Sequence, residues 1–294
     1  MWLPRKVKEA LIKNFFLVVA ATSIFIILFI FYFLFTQASP AFEEFGLNIF
    51  SNNWSYSKEQ YGLGAAIHGT IIVTIGAMLI AIPLGILSAI FLAELAPYRL
   101  RMILKPIIEL LAGIPSIVYG FIGVLLLTRY LRDSFDMLSG YSYLAGSLIL
   151  GVMALPIIIS MSDDAIKAVP RAYKEASLAV GATKWETIKK ITVPSAISGI
   201  SAAVILGIGR AIGETMAVSL VLGNRMDIPI PPFDFFETTG TTLTALIVHD
   251  MGEAVGVQRN ALFAAGVILF IIVAIMSISS NILRERIEKK FKGD

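Results

Sequence analysis

Long runs of apolar residues, separated by polar segments, form the main pattern along the 294-residue chain. A helix rises about 1.5 Å per residue, so crossing a hydrocarbon core about 30 Å thick takes roughly 20 apolar residues. The runs are continuous, whereas the strands of a membrane barrel would alternate over about 10 residues. The pattern predicts an all-α integral membrane protein with one domain, residues 1–294, and six spans at about residues 15–35, 68–93, 106–128, 143–161, 197–222 and 261–280.

Basic residues are distributed unevenly over the polar segments that connect these spans. Of the 24 Lys and Arg residues, 18 lie in the amino-terminal segment, the second and fourth connections and the carboxy-terminal segment. Cytoplasmic segments of membrane proteins carry an excess of Lys and Arg. The distribution predicts a multi-pass protein of the cell membrane (the cytoplasmic or inner membrane) with both termini in the cytoplasm.

The composition agrees with a membrane location and narrows the function. Hydrophobic residues make up 57% of the chain and charged residues 15%, whereas soluble domains have about 25% charged residues. This balance excludes a cytosolic enzyme and a disordered chain. The net charge of +3 follows from the basic cytoplasmic segments, so we expect membrane lipid around the chain and no nucleic-acid partner.

The motifs of common catalytic and metal sites are missing from the sequence. The chain contains no Cys, which excludes thiolate metal ligands and Cys nucleophiles. It has no HExxH, GxSxG or Walker A sequence. We therefore expect no enzymatic activity, no cofactor and no metal in this chain, and if transport is active its energy comes from a partner or an ion gradient.

The fourth connection, about residues 162–196, has the local signals of two short helices. Pro170 suits the first turn of a helix, and Gly181 suits its end. Thr183 and Glu186 have the spacing of a capping box that starts a second helix. Apolar residues recur on one face of the first helix, at Ala172, Tyr173, Ala176, Ala179 and Val180. The pattern predicts a cytoplasmic helical hairpin whose apolar stripe is a docking surface for a partner.

This hairpin also carries a family resemblance. The residues at the relevant spacing are Glu175, Ala176, Ser177, Gly181, Ile191, Val193 and Pro194. They resemble the Glu-Ala-Ala signature of ABC importer permeases of the binding-protein-dependent, type I (MetI-like) family, with Ser177 for the third Ala and Val193 for Leu. The resemblance implies the type I permease fold, with a coupling helix around Glu175, Ala176, Ser177 and Gly181 that sits in a cleft of a cytoplasmic ATPase.

A second resemblance narrows the family. Residues 209–218, together with 94–97 and 114–120, resemble the permeases of phosphate-specific importers, and the Met-Ala-Val of residues 216–218 is similar to the PstC type. The resemblance implies a PstA-type second permease, a PstB-type ATPase dimer and an external PstS-type phosphate-binding protein. Composition and spacing do not indicate phosphate, so another oxyanion such as sulfate or molybdate is an alternative substrate.

Two charges lie inside the predicted fifth span. Arg210 and Glu214 are four residues apart, so in one helix they share a face and reach each other. Each charge at the bilayer centre costs roughly 2.5–3.5 kcal/mol, and such residues usually face the bundle interior or a wet cavity. We expect Arg210 to attract the oxyanion while Glu214 holds the guanidinium. A structural tie between spans and a gate that does not touch the substrate are the alternatives.

Weaker features complete the interpretation of the sequence. Proline within a span predicts a kink or freed carbonyl groups, at Pro83, Pro115 and Pro156. Small residues four apart predict close helix packing without chemistry, in the rows Gly199, Ala203 and Gly207 and Gly209, Gly213 and Ala217. His249 and Asp250 lie together in the fifth connection, where we expect solvated side chains and no metal site.

The competing hypothesis from another class is a stand-alone secondary transporter or channel. It accounts for the spans and the buried charges but gives the cytoplasmic hairpin no role. A membrane enzyme is disfavoured because the catalytic motifs are missing. The favoured interpretation is therefore a transmembrane permease subunit that forms a pathway with a second permease and is driven by a partner ATPase.

Overall fold

The computed structural model describes residues 5–228 and 238–292, most of which are helical. Four helical segments are long and apolar enough to cross a bilayer, and two bent helix pairs pass the same test if each pair is one span. The four are Lys8–Phe50, Gly64–Leu95, Tyr143–Lys167 and Gly256–Arg286. The prediction of an all-α membrane protein is confirmed, with up to six spans.

The elements follow one another without long unstructured stretches in the described ranges. In chain order they are α1 (Arg5–Phe45), β1 (Trp54–Ser55), β2 (Gln60–Tyr61), α2 (Gly64–Ile90), α3 (Tyr98–Ala112), α4 (Ser116–Ile122), α5 (Thr128–Phe135), α6 (Tyr143–Lys167), α7 (Arg171–Ala179), α8 (Lys184–Thr187), α9 (Val193–Ser195), α10 (Ile197–Gly213), α11 (Met216–Leu222), α12 (Leu243–Asp250) and α13 (Gly256–Lys292). One 3-10 turn covers Gly46–Phe50, and wider π-helical turns cover Phe91–Leu95, Gly123–Leu127 and Ile188–Thr192.

Helices α2 and α6 pack side by side in the centre of the molecule. Ala77 and Leu150 are among the residues buried in the apolar core that they share. Gly85 brings the two backbones close, because a Cβ atom there would lie 2.6 Å from Cγ2 of Ile158. Small residues at such contacts let membrane helices approach each other.

Helix α1 contacts the rest of the chain through its second half. Phe31 lies against Phe270 of α13 with ring centroids 5.0 Å apart, and Phe33 lies against Phe263 at 6.0 Å. Residues 8–30, which precede these contacts, are all exposed. In a membrane, an apolar helix surface of this extent faces lipid or another chain.

The third predicted span, residues 106–128, is not one straight helix. Helix α3 and the segment Ser116–Phe135 meet at an angle of 96°. Pro115 causes the break, because it lacks an N–H group and disfavours helical geometry in the residue before it. Ser116–Phe135 is about 30 Å long at 1.5 Å per residue, so this segment alone crosses the hydrocarbon core. Pro83 and Pro156, in contrast, lie inside unbroken helices.

The fifth predicted span, residues 197–222, is also broken. Helix α10 ends at Gly213, and Glu214 is extended, with φ −71° and ψ 133°. Helix α11 then begins at Met216. The prediction of one continuous helix here was wrong, because the carboxylate of Glu214 bonds to the amides of the next helix and interrupts the backbone ladder.

The fourth connection forms the predicted helical hairpin. Helix α7 begins directly after Pro170, and Gly181 follows it with φ +90°, a conformation that glycine adopts without strain. Thr183 and Glu186 make the predicted capping box. The second helix of the hairpin continues through the π-helical turn Ile188–Thr192 and past Pro194 to Ser195. The chain then bends by 68° into α10.

The opposite end of the molecule is built from the first and fifth connections. Strands β1 and β2 form an antiparallel hairpin in which Trp54 is paired with Tyr61. Helix α12 lies in the second half of the fifth connection. Residues 229–237, which include the three prolines of this connection, lie outside the described residues.

Candidate functional site

Arg210 lies in the last turn of α10 and is partly buried. It makes no hydrogen bond or ion pair with any residue in 5–228 or 238–292, and its Nε atom is buried without a partner. The expected ion pair with Glu214 is therefore not formed. Because the helix ends at Gly213, Glu214 no longer occupies the helical position four residues after Arg210, and the structure leaves the guanidinium free to interact with another group.

Glu214 instead holds the break in the fifth span. Its Oε1 atom accepts hydrogen bonds from the amides of Thr215 and Ala217 at 3.1 and 3.4 Å. A carboxylate at the start of a helix satisfies unpaired N–H groups and suits the positive end of the helix dipole. The carbonyl of Glu214 accepts a further bond from Oγ1 of Thr244 in α12 at 2.9 Å. Glu214 thus stabilises the start of α11 and ties it to α12.

The two broken spans are in direct contact. Gly120 of α4 lies against Ala217 of α11, since a Cβ atom at Gly120 would be 3.0 Å from Cα of Ala217. Tyr119 donates a hydrogen bond from its hydroxyl group to the carbonyl of Leu111 at 2.9 Å, which satisfies a group freed by the break after α3. The candidate site is therefore bounded by both breaks.

The glycines of α10 divide into two groups. Gly199 and Gly207 pack closely as predicted, because a Cβ atom at either would come within 2.7 Å of Ala165 or Ile158. A Cβ atom added at Gly209 or at Gly213 would meet nothing within 4 Å among the other described elements, so the packing expected for these glycines is not present within this part of the chain. The side of α10 next to Arg210 is therefore open towards lipid, solvent or another subunit.

The predicted coupling residues lie on or directly after α7. Glu175 and Ala176 are exposed, and Ser177 forms a hydrogen bond with Thr187 at 2.9 Å between their hydroxyl oxygens. Gly181 is in a left-handed conformation, and a Cβ atom added there would meet no other described residue within 4 Å. Large apolar side chains of the hairpin are exposed, with fractions of 56% for Tyr173, 50% for Leu178 and 84% for Val180. The hairpin thus presents an uncovered apolar stripe.

The capping box fixes the second helix of this hairpin. The amide of Thr183 donates to the carboxylate of Glu186 at 3.0 Å, and its hydroxyl lies 2.9 Å from the same oxygen. These two bonds lower the pKa of Glu186 from its ordinary 4.5, the backbone bond having the larger effect. Glu186 therefore stays ionised at neutral pH, as the capping box requires.

Sequence reasoning missed a polar cluster at this end of the molecule. Asp163, at the end of α6, has a side chain with 0% exposure and accepts a hydrogen bond from Lys167. Lys105 of α3 lies 3.4 Å from Asp163 and 2.6 Å from Asp164, and Glu109 of the same helix is 4.0 Å from it. The consecutive aspartates after an apolar run were the available signal. This cluster ties the bent α3 to α6.

Sequence reasoning also missed the ion pair between Lys174 of α7 and Glu94. Lys174 donates to Oε1 of Glu94 in the π-helical turn Phe91–Leu95, and the side chains are only 23% and 13% exposed. The two residues are 80 positions apart. A single sequence contains no local pattern that pairs residues at this separation.

At the opposite end, Asp250 is buried and bonded, so the expectation of a solvated pair was wrong for it. Its carboxylate accepts a hydrogen bond from the hydroxyl of Tyr56 at 2.6 Å and lies 2.8 Å from Nδ1 of His249. Burial, with the Asp250 bond as a further cause, raises the pKa of Tyr56 above 10.0. These residues and Trp54 line a cavity of about 240 Å³. The bond fastens the β1–β2 hairpin to α12.

Comparison with solved structures places this architecture among ABC transporters. A chain of a bacterial alginate ABC transporter, solved in complex with an alginate pentasaccharide-bound periplasmic protein, superposes with a TM-score of 0.65. The match covers 95% of this chain and 97% of that chain at 19% sequence identity. At this identity the likeness shows the fold, which is the type I permease fold that the sequence resemblance implied.

Sequence relatives cover most of the chain. A Bacillus subtilis protein described as a probable ABC transporter permease, YqgH, is 44% identical over 225 residues, which are 75% of this chain and 72% of the relative. A Methanocaldococcus jannaschii protein described as the probable phosphate transport system permease PstC is 36% identical over 90% of both chains. The family described as binding-protein-dependent transport system inner membrane component matches residues 81–293. The chain belongs to this family of binding-protein-dependent transport permeases.

Proposed function

We propose that this chain is a transmembrane permease subunit of an ATP-driven phosphate importer. The proposal is supported by the Methanocaldococcus jannaschii relative, which is named as a phosphate transport permease and matches this chain over 90% of its length. We assign the phosphate site to Arg210. This cation has no partner in the described structure and lies next to a break in a membrane span.

Arg210 has the chemistry that an oxyanion pathway needs. Its planar guanidinium can donate two parallel hydrogen bonds to neighbouring phosphate oxygens. The open side of α10 at Gly209 and Gly213 gives an anion room to approach. A single guanidinium holds an anion only briefly, as transport requires.

Glu214 acts as the gate that keeps this arrangement in place. Its carboxylate supplies the negative charge at the start of α11, so the helix end does not compete with Arg210 for phosphate. Its backbone link to Thr244 of α12 ties the break to the end of the molecule opposite the hairpin. Movement of α12 therefore changes the position of the break relative to Arg210.

The assembly follows from surfaces that this chain leaves uncovered. The exposed apolar stripe of α7, around Glu175, Ala176, Ser177 and Gly181, is the docking surface for a cytoplasmic ATPase dimer of the PstB type. The exposed side of α10 faces a second permease of the PstA type. An external phosphate-binding protein of the PstS type docks on the opposite end. Both termini lie in the cytoplasm, in agreement with the distribution of Lys and Arg.

The test is uptake by the complete transporter in proteoliposomes. We expect labelled phosphate to enter only when ATP is supplied on the ATPase side and the external binding protein is present. An excess of unlabelled phosphate should abolish uptake. Sulfate or molybdate, at the same concentration as the labelled phosphate, should change uptake by less than about twofold. This result is expected if the site prefers phosphate at least tenfold, which requires about 1.4 kcal/mol of binding free energy.

Two results would contradict the proposal. Stronger competition by sulfate or molybdate than by phosphate would assign the importer to that oxyanion. Phosphate entry without ATP, together with purification in mild detergent that yields no bound ATPase, would identify a stand-alone transporter or channel.

A further inference from the structure

The coupling helix α7 has no apolar anchor within its own chain. None of its nine residues, all of which the structure describes, is buried. Most short helices in proteins are held by packing of an apolar face rather than by their own propensity. The position of α7 on this chain therefore depends on polar contacts and on the turns that flank it.

Two polar contacts hold one side of α7. Lys174 donates to Glu94, and Ser177 shares a hydrogen bond with Thr187, which is itself buried. Residues three apart lie on the same face of a helix, so both contacts lie on one side, and the apolar stripe stays uncovered. These contacts determine which face α7 presents.

The ion pair between Lys174 and Glu94 differs from the exposed pair in the same hairpin. Lys190 and Glu186 lie within one helical segment, with side chains 70% and 46% exposed. Such exposed pairs contribute little, because water screens them. Lys174 and Glu94 join two separate elements and are mostly shielded from water, so loss of one leaves the other without compensation.

Glu94 lies at one end of a continuous helix whose other end contacts the candidate site. Helix α2 runs from Gly64 to Ile90 and continues into the π-helical turn that carries Glu94. Near its start, Oγ1 of Thr70 accepts a hydrogen bond from the amide of Leu243 in α12 at 2.9 Å. Thr244, also in α12, donates a hydrogen bond to the carbonyl of Glu214 at the break in the fifth span. Contacts thus run from α7 through α2 and α12 to Glu214.

We propose that Lys174 and Glu94 are positioning residues that connect the coupling helix to α2, and that α2 transmits movement of α7 to the break beside Arg210. This inference rests on the proposed function, since the movement originates in the ATPase. Neither residue touches substrate or nucleotide. The widened turn around Glu94 supports the role, because π-helical turns inside helices are frequent at functional sites.

The experiment uses charge reversal in the assembled transporter. Lys174→Glu and Glu94→Lys are made separately and together, and two quantities are measured: hydrogen exchange of residues 171–179 without ATP, and phosphate uptake per ATP hydrolysed. We expect each single reversal to lower the protection of α7 by about tenfold. Uptake per ATP should fall several-fold while hydrolysis continues, and the double reversal should restore both.

Two further variants protect the test against a failure of folding. Lys174→Met removes the charge with little change in size, and Lys174→Arg keeps the pair, so protection should fall in the first and persist in the second. Lys190→Glu breaks the exposed pair of the same hairpin and is the matched control, with an expected change below about twofold.

The link is refuted if the double reversal restores neither quantity, or if Lys174→Met behaves like the control. The proposed function is judged separately, by ATP-driven phosphate uptake of the unaltered transporter. Because hydrogen exchange requires neither phosphate nor turnover, loss and rescue of protection decide the position of α7 even if that uptake is absent.

Discussion

The third and fifth spans are both interrupted, but by different means. The third is broken by the covalent geometry of Pro115, and the carbonyl that this frees is satisfied inside the same span by Tyr119. The fifth is broken where the carboxylate of Glu214 binds the amides of the next helix and where Thr244 of another helix holds its carbonyl. One break is set by the chain itself and the other by contacts that movement of a neighbouring helix can change.

The difference extends to the charges at the two sites. The break in the third span presents a phenol that is already bonded, whereas the break in the fifth lies beside a guanidinium without a partner in the described residues. The fixed break of the third span suits a static wall of the pathway. The adjustable break of the fifth span, beside a free cation, suits a moving segment that contacts the substrate. Substitutions at three positions test this distinction, in order of decreasing effect.

The largest effect is expected for Arg210→Lys, which keeps the charge beside the adjustable break but loses the planar pair of donors. A hydrogen bond to a charged group contributes about 1.5–3 kcal/mol, so we expect phosphate uptake to fall by about tenfold or more. The assembled complex should still form, as measured by size-exclusion chromatography. Arg259→Lys, at an exposed position, is the control, and unchanged uptake in Arg210→Lys would remove Arg210 from the pathway.

An intermediate effect is expected when the carboxylate that holds the fifth break is removed. Glu214→Ala leaves the amides of Thr215 and Ala217 without their acceptor, and loss of a helix cap typically costs about 1 kcal/mol and up to about 2 kcal/mol. Glu214→Gln keeps an oxygen acceptor, so we expect it to keep more than half of this stability. The measurement is thermal unfolding of the complex together with uptake.

The exposed Glu253→Ala is the control for this pair of variants. Equal losses in Glu214→Ala and Glu214→Gln would show that the negative charge, and not the hydrogen bonds, holds the break. In that case the hydrogen bonds of Glu214 would not hold the break, and the mechanical role that we assign to them would be wrong.

The smallest effect is expected at the fixed break. Tyr119→Phe removes the hydroxyl that binds the carbonyl of Leu111, and a hydrogen bond of this kind contributes about 0.5–1.5 kcal/mol to stability. Because Pro115 still sets the geometry, uptake should stay within about twofold of the unaltered transporter. Tyr130→Phe, at an exposed position in the same span, is the matched control, and a loss of uptake as large as that of Arg210→Lys would end the distinction between the two breaks.

Local signals explain what could be predicted from the sequence. The six apolar runs, the proline break, the capping box of Thr183 and Glu186 and the turn at Gly181 each depend on residues a few positions apart. All of these are present in the structure, but the third run, residues 106–128, and the fifth, residues 197–222, are each divided between two helices.

The rest depends on contacts between distant parts of the chain. The run from Gly209 to Ala217 is rich in small and apolar residues and has the pattern of a continuous helix, and the choice of Glu214 for backbone amides over Arg210 depends on its three-dimensional surroundings. Likewise the pairing of Lys174 with Glu94 and of Tyr56 with Asp250 joins residues that no local periodicity connects.

The packing of α1 against α13 has a consequence for how the protein is made. Phe31 leaves the ribosome before its partner Phe270, which follows it by 239 residues. At a synthesis rate of about 5–20 residues per second, the first span waits roughly 10–50 seconds in the membrane before its partner exists. During this interval the contacts with α13 are absent, so α1 must be stable in the membrane without them, as its long uninterrupted hydrophobic run allows.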